Sequence, residues 1–357
     1  MIARFFRSSF TRRRVAAAVS LVTIAACENS TSATGPDGGG TAGLNEIVTA
    51  GPLNASSTDT LIYYSLAQGA QVSSSGDWDL ALRRFEIQLN GGLHGAKGVT
   101  GYAMGNNTTA TDAQVIAFTA ANTLAAFDSV RAAQIPDDGL FVADRLVEDN
   151  TAYVSFAGAP GANAAAYWKV RTASGGYAVM HITAITYDQT GSLTSITVES
   201  RLQTGTTLGA AQQATVPIAG APVNISLASN GGVTAAGCNW DLLVDPQTFA
   251  LTTNAACNVG TYPGGSAPTF TSATTASDAP QYGAFLAGIA GSIPNDASFT
   301  DKTAPYRYSL QSDQRLYPTF NTYLIKSGAN VYKLQVINYY SESGTSGYPT
   351  IRFARIR

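Results

Sequence analysis

The segment Trp78-Asp79-Leu80 returns as Trp240-Asp241-Leu242, and the neighbours return with it. Leu66 and Gln71-Val72 precede the first copy and Leu89-Asn90 follows it; Ser226-Leu227 precedes the second and Thr253-Asn254 follows. The step from Trp to Asn is 12 residues in one copy and 14 in the other. Each half then closes in a strand-like run, Tyr177 to Ile182 before Tyr187 and Val331 to Val336 before Tyr339-Tyr340. A long internal repeat constrains a fold more than any local signal, because each repeat must be a similar unit. The repeat predicts two related domains in tandem, residues 45–205 and 206–357. About 310 residues follow the N-terminal region, more than one small core accommodates.

Within both halves, apolar and β-branched runs of four to eight residues alternate with Gly, Asn, Asp and Pro clusters, the pattern of antiparallel strands and turns. Leu61–Leu66, Ala178–Tyr187, Leu193–Leu202, Thr322–Lys326 and Val331–Tyr340 are the clearest strands. Thr111–Gln134 and Gln281–Ile293 read as accessory helices. The fold expected is mainly β, with a few short helices. In each repeat the Trp is expected to turn inward while the Asp caps turn amides and the Asn follows, a structural role for Trp78, Asp79, Asn90, Trp240, Asp241 and Asn254.

The N-terminus carries Arg4, Arg7 and Arg12-Arg13-Arg14, then an apolar stretch from Val15 to Ala26 too short to span a bilayer. It closes as Thr23-Ile24-Ala25-Ala26-Cys27, which resembles the bacterial lipobox. Residues 1–26 are expected to be a lipoprotein signal peptide, Cys27 the acylated first residue, and the glycine-rich residues 27–44 a flexible tether. Gly38, Gly40 and Gly43 match the spacing of a dinucleotide loop by chance, with no strand before them. Loss of five arginines with the signal leaves 16 basic residues against 23 acidic. Nucleic acid is therefore not an expected partner. Apart from Cys27 the mature chain holds only Cys238 and Cys257, and export to an oxidising compartment predicts a disulfide between them.

At Gly76-Asp77-Trp78-Asp79-Leu80 through Leu89-Asn90-Gly91-Gly92, the chain resembles the HmuY family, exported lipoproteins of Gram-negative bacteria whose founding members capture haem at the cell surface. Pro318–Lys326, Tyr339-Tyr340 and Thr350-Ile351-Arg352-Phe353 resemble that family's C-terminal end, and Phe127–Val130 is a weaker echo. The resemblance implies two tandem HmuY-like antiparallel β domains where the founding members have one. It implies haem, or another small hydrophobic ligand, held by two axial His or Met side chains. Anchorage in the outer membrane is expected, with an envelope protein or outer-membrane receptor as a partner.

The residues supply few such ligands. Neither His nor Met occurs from Gly105 to Val179 or from Ile182 to Arg357. The candidates are His94 in a glycine-rich loop, expected to be mobile and exposed, with Met104, Met180 and His181. Met180 and His181 are adjacent on one strand and point to opposite faces. Core packing for Met180 and a satisfied position for His181 are the competing readings. In the second half only tyrosines such as Tyr262, Tyr306, Tyr308, Tyr339 and Tyr348 could serve. No nucleophile elbow, P-loop or zinc pattern occurs, so no enzyme is expected. The other reading is a structural or interaction lipoprotein that kept the scaffold, lost the haem site and engages partners through loops such as Tyr339-Tyr340.

Overall fold

The computed structural model describes residues 43–357 except 59, 156–158, 230, 235, 265–268 and 296–298. The signal segment, Cys27 and nearly all of the tether lie outside the described residues.

In chain order the first half runs β1 (Val48–Ala50), β2 (Ile62–Ser65), β3 (Ala70–Val72), β4 (Leu80–Arg83), β5 (Glu86–Leu89), β6 (Thr100–Ala103), the helices α1 (Asp112–Ala117) and α2 (Leu124–Ser129), then β7 (Arg145–Glu148), β8 (Val154–Ser155) and β9 (Gly161–Ala162). A meander closes it: β10 (Tyr167–Arg171), β11 (Tyr177–Tyr187) and β12 (Leu193–Thr204). The second half runs β13 (Thr207–Leu208), β14 (Gln212–Pro217), β15 (Val223–Ser226), β16 (Gly231–Val233), β17 (Leu242–Val244), β18 (Leu251–Thr253), β19 (Gly260–Pro263), β20 (Ala287–Ala290), β21 (Tyr306–Tyr308) and β22 (Leu316–Pro318). Its meander is β23 (Thr322–Ser327), β24 (Asn330–Tyr340) and β25 (Ser346–Arg355).

The repeat is real at the level of hydrogen bonds. Each tryptophan motif builds a four-stranded antiparallel sheet of the same order, β3-β2-β4-β5 and β16-β15-β17-β18. Asp79 Oδ2 accepts the Leu66 amide at 2.7 Å and Asp241 Oδ2 accepts the Leu227 amide at 2.7 Å. Asn90 donates to the Trp78 carbonyl at 2.9 Å and Asn254 to the Trp240 carbonyl at 3.0 Å. Trp78 is buried with its ring edge-on to Tyr63, whereas Trp240 is only half-buried.

The two halves exchange strands. The first motif's flanking strands β1 and β6 border the second meander, giving the sheet β1-β25-β24-β23-β6. Conversely, β14 pairs with β12 and β19 with β10, so the second motif's flanks border the first meander. Each motif therefore packs with the other half's meander. The cores follow this exchange. An outer core joins Tyr64, Leu80, Leu82 and Val99 to Tyr323, Leu334, Ile351 and Phe353. An inner core joins Trp168, Met180 and Val198 to Ile225, Leu242, Leu251 and Leu286. Strand pairing thus crosses the expected division at residues 205 and 206; residues 149–286 lie between the paired strands β7 and β20 as an insert in the outer part of the chain, which comes from both ends. The chain enters and leaves that insert along the antiparallel pair β7 and β20. Backbone pairing carries no residue code, so homologous meanders can exchange partners without a change of sequence pattern.

Both meanders are covered on their outer face, which explains their nearly continuous apolar runs. In β11, Ala178, Met180 and Ile182 face the inner core, while Tyr177 and Val179 meet Phe270, Ala273 and Ala276. In β24, Tyr332, Leu334 and Val336 face the outer core, while Lys333 lies under α2.

The expected helix over Thr111–Gln134 is broken into α1, α2 and a 3₁₀ turn at Ala132–Gln134. Thr119 and Asn122 exchange side-chain bonds with each other's amides at 2.8 and 3.1 Å, a local alternative to helical bonding. The expected helix over Gln281–Ile293 does not form. There Gly283 exchanges backbone bonds with Thr261, and Ala287–Ala290 is strand β20.

Candidate functional site

The candidate axial residues are not brought together. Met180 is fully buried in the inner core. His181 on the opposite face is saturated: Nε2 lies 2.7 Å from Glu199 Oε2, Nδ1 lies 3.2 Å from the Ala164 carbonyl, and the ring stacks on Phe270 at 4.0 Å. His181 opposes Glu199 across β11 and β12 as Gln335 opposes Arg352 across β24 and β25. Gln335 and Arg352 are also hydrogen-bonded, at 2.8 Å. His181 therefore occupies a position that is structural in both halves. Met104 packs with Tyr102, Val130 and Phe141 beside the outer unit. Tyr306 and Tyr339 pack edge to face within the outer core, 5.0 Å apart, and Tyr340 lies under Arg315 at 4.4 Å. The Tyr339-Tyr340 pair is thus not an exposed docking loop.

His94 belongs to the outer unit and is not exposed, contrary to the expectation from its loop. Its side chain is 11% accessible and Nε2 lies 3.7 Å from Asp144 Oδ2, beyond hydrogen-bond range. The glycines around it serve close packing. A Cβ on Gly91 would lie 2.0 Å from the Val99 carbonyl oxygen. One on Gly92, at φ +60°, would lie 2.1 Å from the Asp144 carbonyl oxygen. The loop is therefore pressed against the entrance to β7.

This packing assembles a buried titratable cluster where the outer unit meets the insert. Asp144 Oδ2 accepts the Leu89 amide at 3.0 Å, and its carboxyl is pushed up to about 6, chiefly by burial, against the pull of that amide and with a further rise from Glu86. Burial pulls His94 below the usual imidazole range, with Glu86 opposing. Glu86 receives Arg83 through Nε and Nη2 at 2.9 and 2.7 Å and Gln88 at 2.6 Å. From the insert, Tyr262 feels Glu86 and Asp144, although burial is the main cause of its rise to about 12. Clustered perturbed groups mark candidate sites, though ion-pair networks also produce them. The cavity among Glu86, Gln88, His94, Asp144 and Ile293 measures about 20 Å³, room for one water. The cluster can hold a proton or a water; it cannot admit a macrocycle. Tested on these side chains, haem does not fit: His94 faces a water-sized void, Met180 is core, and both His181 nitrogens are engaged.

Asp144 and Glu86 carry no motif, and the 55-residue separation of Asp144 from Leu89 hides their association in the sequence. Among the described residues no group of three or more His, Cys, Asp or Glu is placed to hold a metal ion. Cys238 and Cys257 are joined, with Cα atoms 5.4 Å apart. The disulfide ties the loop before Trp240 to the turn after Asn254. In the first motif Lys97 fills this role, bridging Asp77 and Asp79 at 2.7 Å each from the loop after Asn90.

Residues 57–200 match the family model of the HmuY protein. No curated protein matches the sequence. Among solved structures, a candidate HmuY-like heme-binding protein from Bacteroides vulgatus ATCC 8482 aligns with 86% of this chain and 90% of its own at 9% identity and a TM-score of 0.31. A candidate lipoprotein from Bacteroides fragilis NCTC 9343 aligns with 87% of this chain and 90% of its own at 10% identity and a TM-score of 0.30. The match over residues 57–200 takes in the first Trp-Asp-Leu sheet and most of the first meander.

Proposed function

We propose that this protein is a non-catalytic binding lipoprotein of the bacterial envelope, anchored through acylated Cys27 to the outer membrane, whose HmuY-type scaffold does not clasp haem through His94, Met180 or His181. The observation that carries the reading is the saturation of His181 beside a core Met180, while His94 lies beside Asp144 instead. A histidine with both nitrogens occupied must give up buried hydrogen bonds before it can ligate iron. The lipobox-like Thr23–Cys27 supports the anchor. Among the described residues no helix is long and apolar enough to cross a membrane.

Haemin titration of the purified mature protein tests the reading, followed by absorbance in the Soret region. The expected result is no saturable shift at micromolar protein. A saturable shift lost in His94→Ala or His181→Ala overturns it. Acylation is tested separately by mass spectrometry of the mature N-terminal peptide, with Cys27→Ser expected to release the protein from the membrane fraction.

A further inference from the structure

Where the outer unit meets the insert, Asp144 is a buried carboxyl group without a cation. Its side chain is 6% accessible. Oδ2 accepts the Leu89 amide, while Oδ1 accepts no hydrogen bond among the described residues. Arg83 is held by Glu86, and burial keeps the His94 ring uncharged at neutral pH. An ionised carboxylate in such a place is costly until a positive partner reaches it.

The unbonded oxygen faces the void of about 20 Å³ that Asp144 shares with Gln88, His94 and Gly291. A Cβ on Gly291 would lie 2.2 Å from Asp144 Oδ1, so that oxygen rests against the bare backbone of the opposite wall. Two further acceptors meet it there. Gln88 Nε2 donates to Glu86 Oε1 at 2.6 Å, which leaves Gln88 Oε1 without a donor among the described residues. His94 Nε2, at 3.7 Å from Asp144 Oδ2, is likewise unbonded among them. None of the three atoms is closed to a water-sized molecule. The void adjoins a wider basin of about 450 Å³ that is open to solvent, with Ile289 and Gly291 common to both and Asp301 at its side.

Three acceptors around room for one heavy atom match the three N–H donors of a primary ammonium group. A water molecule leaves the carboxylate charge unmet, and a quaternary ammonium has no N–H to give. A divalent metal asks for more ligands than these, and among the described residues no three acidic, histidine or cysteine side chains are placed to hold one.

We propose that this junction binds a primary alkylammonium ion, its ammonium in the void against Asp144 Oδ1, Gln88 Oε1 and His94 Nε2 and its alkyl stem in the basin along Ile289 and Gly291. The site goes beyond the haem reading and stands whether or not haemin binds.

The test is an amide NMR titration of the mature protein with n-butylammonium chloride at about pH 8, where a carboxyl that titrates at about 6 is ionised. 1-Butanol is the uncharged probe of like shape, and potassium chloride at equal ionic strength is the control for general charge effects. Saturable shifts are expected at Leu89, His94 and Gly291 with butylammonium alone. Asp144→Asn keeps the shape and removes a buried charge, so it should fold, and it is expected to weaken butylammonium roughly ten-fold or more, the worth of one charged hydrogen bond. No saturable shift in the parent overturns the proposal, as do equal butylammonium affinities in parent and Asp144→Asn, or the same shifts with the same midpoint from butanol or potassium.

Discussion

Ser327 Oγ donates to Asp79 Oδ1 at 2.7 Å across 248 residues of sequence. Asp241 repeats the contact in the insert, where its Oδ1 accepts the Ala173 amide at 2.7 Å. Ser327 and Ala173 both sit where the first strand of a meander turns into the second. Each motif aspartate thus pins its own sheet with one oxygen and the other half's meander with the second. That double duty gives the Trp-Asp-Leu segment a physical reason to occur in both halves.

Asp79 also receives Lys97, so its removal strands a buried amide and a hydroxyl together and leaves the ammonium with Asp77 alone. Asp79→Ala is expected to cost about 3–5 kcal/mol, the range for breaking a buried charged network. Ser327→Ala is expected to cost about 1 kcal/mol. In the double variant the effects should fall short of additivity, because both remove one shared bond. Urea unfolding of the three variants measures this.

The disulfide and Lys97 close equivalent loops by different chemistry. Replacing Cys238 and Cys257 by Ser should lower stability by about 3 kcal/mol, as expected for a loop of this length. Lys97→Met should cost about 1–2 kcal/mol, since its partner Asp79 is buried although Asp77 is exposed. Denaturant midpoints with and without reductant separate the two effects.

Asp144 gives the protein a pH signature. Its carboxyl titrates at about 6 when folded, above its unfolded value near 3.8. The folded state therefore binds the proton more tightly, and this stability is complete below about pH 4 and lost as pH rises through 6. Asp144→Asn removes the loss. The variant should match the parent near pH 4 and exceed it by roughly 2–3 kcal/mol at pH 7. His94, held below the usual imidazole range, acts with the opposite sign and remains in both proteins. Thermal unfolding of parent and variant at pH 4, 5, 6 and 7 reads the difference.

Lys333 is fully buried and donates to the carbonyls of Phe127, Asp128 and Val130 at 2.9, 3.1 and 3.0 Å. It thereby caps the C-terminal end of α2, which has no basic residue in its own last turn. Lys333→Met keeps the volume but removes the ammonium from three carbonyls, of which Phe127 keeps the Val130 amide and Val130 keeps Arg131. A loss of about 3 kcal/mol is expected, with hydrogen exchange accelerated first over Leu124–Ser129.

The strands were legible because their runs and turns are local: β2, β11, β12, β23 and β24 lie within a residue or two of where the pattern placed them. The repeat was legible because both motifs keep the residues that make the same bonds. Which meander each motif embraces was not, since β6 could border β10 or β23 with equal local preference and only long-range packing decides. The Thr111–Gln134 region misled because its alanines favour a helix while Thr119 and Asn122 divert the backbone. In the candidate site, His94 stood out by rarity, but its burial depends on the close approach of Gly91 and Gly92 to Val99 and Asp144, and nothing in the sequence links Asp144 to Leu89.

The exchange of meanders is tested most directly by two engineered cysteine pairs. Thr100 is the Cα partner of Lys326, as Gly260 is of Arg171. In Thr100→Cys/Lys326→Cys, mild oxidation should link the two peptides in the mass spectrum, and in Thr100→Cys/Arg171→Cys it should not. Efficient linkage in the second variant, with none in the first, would mean that each half folds on its own meander, and would contradict the account.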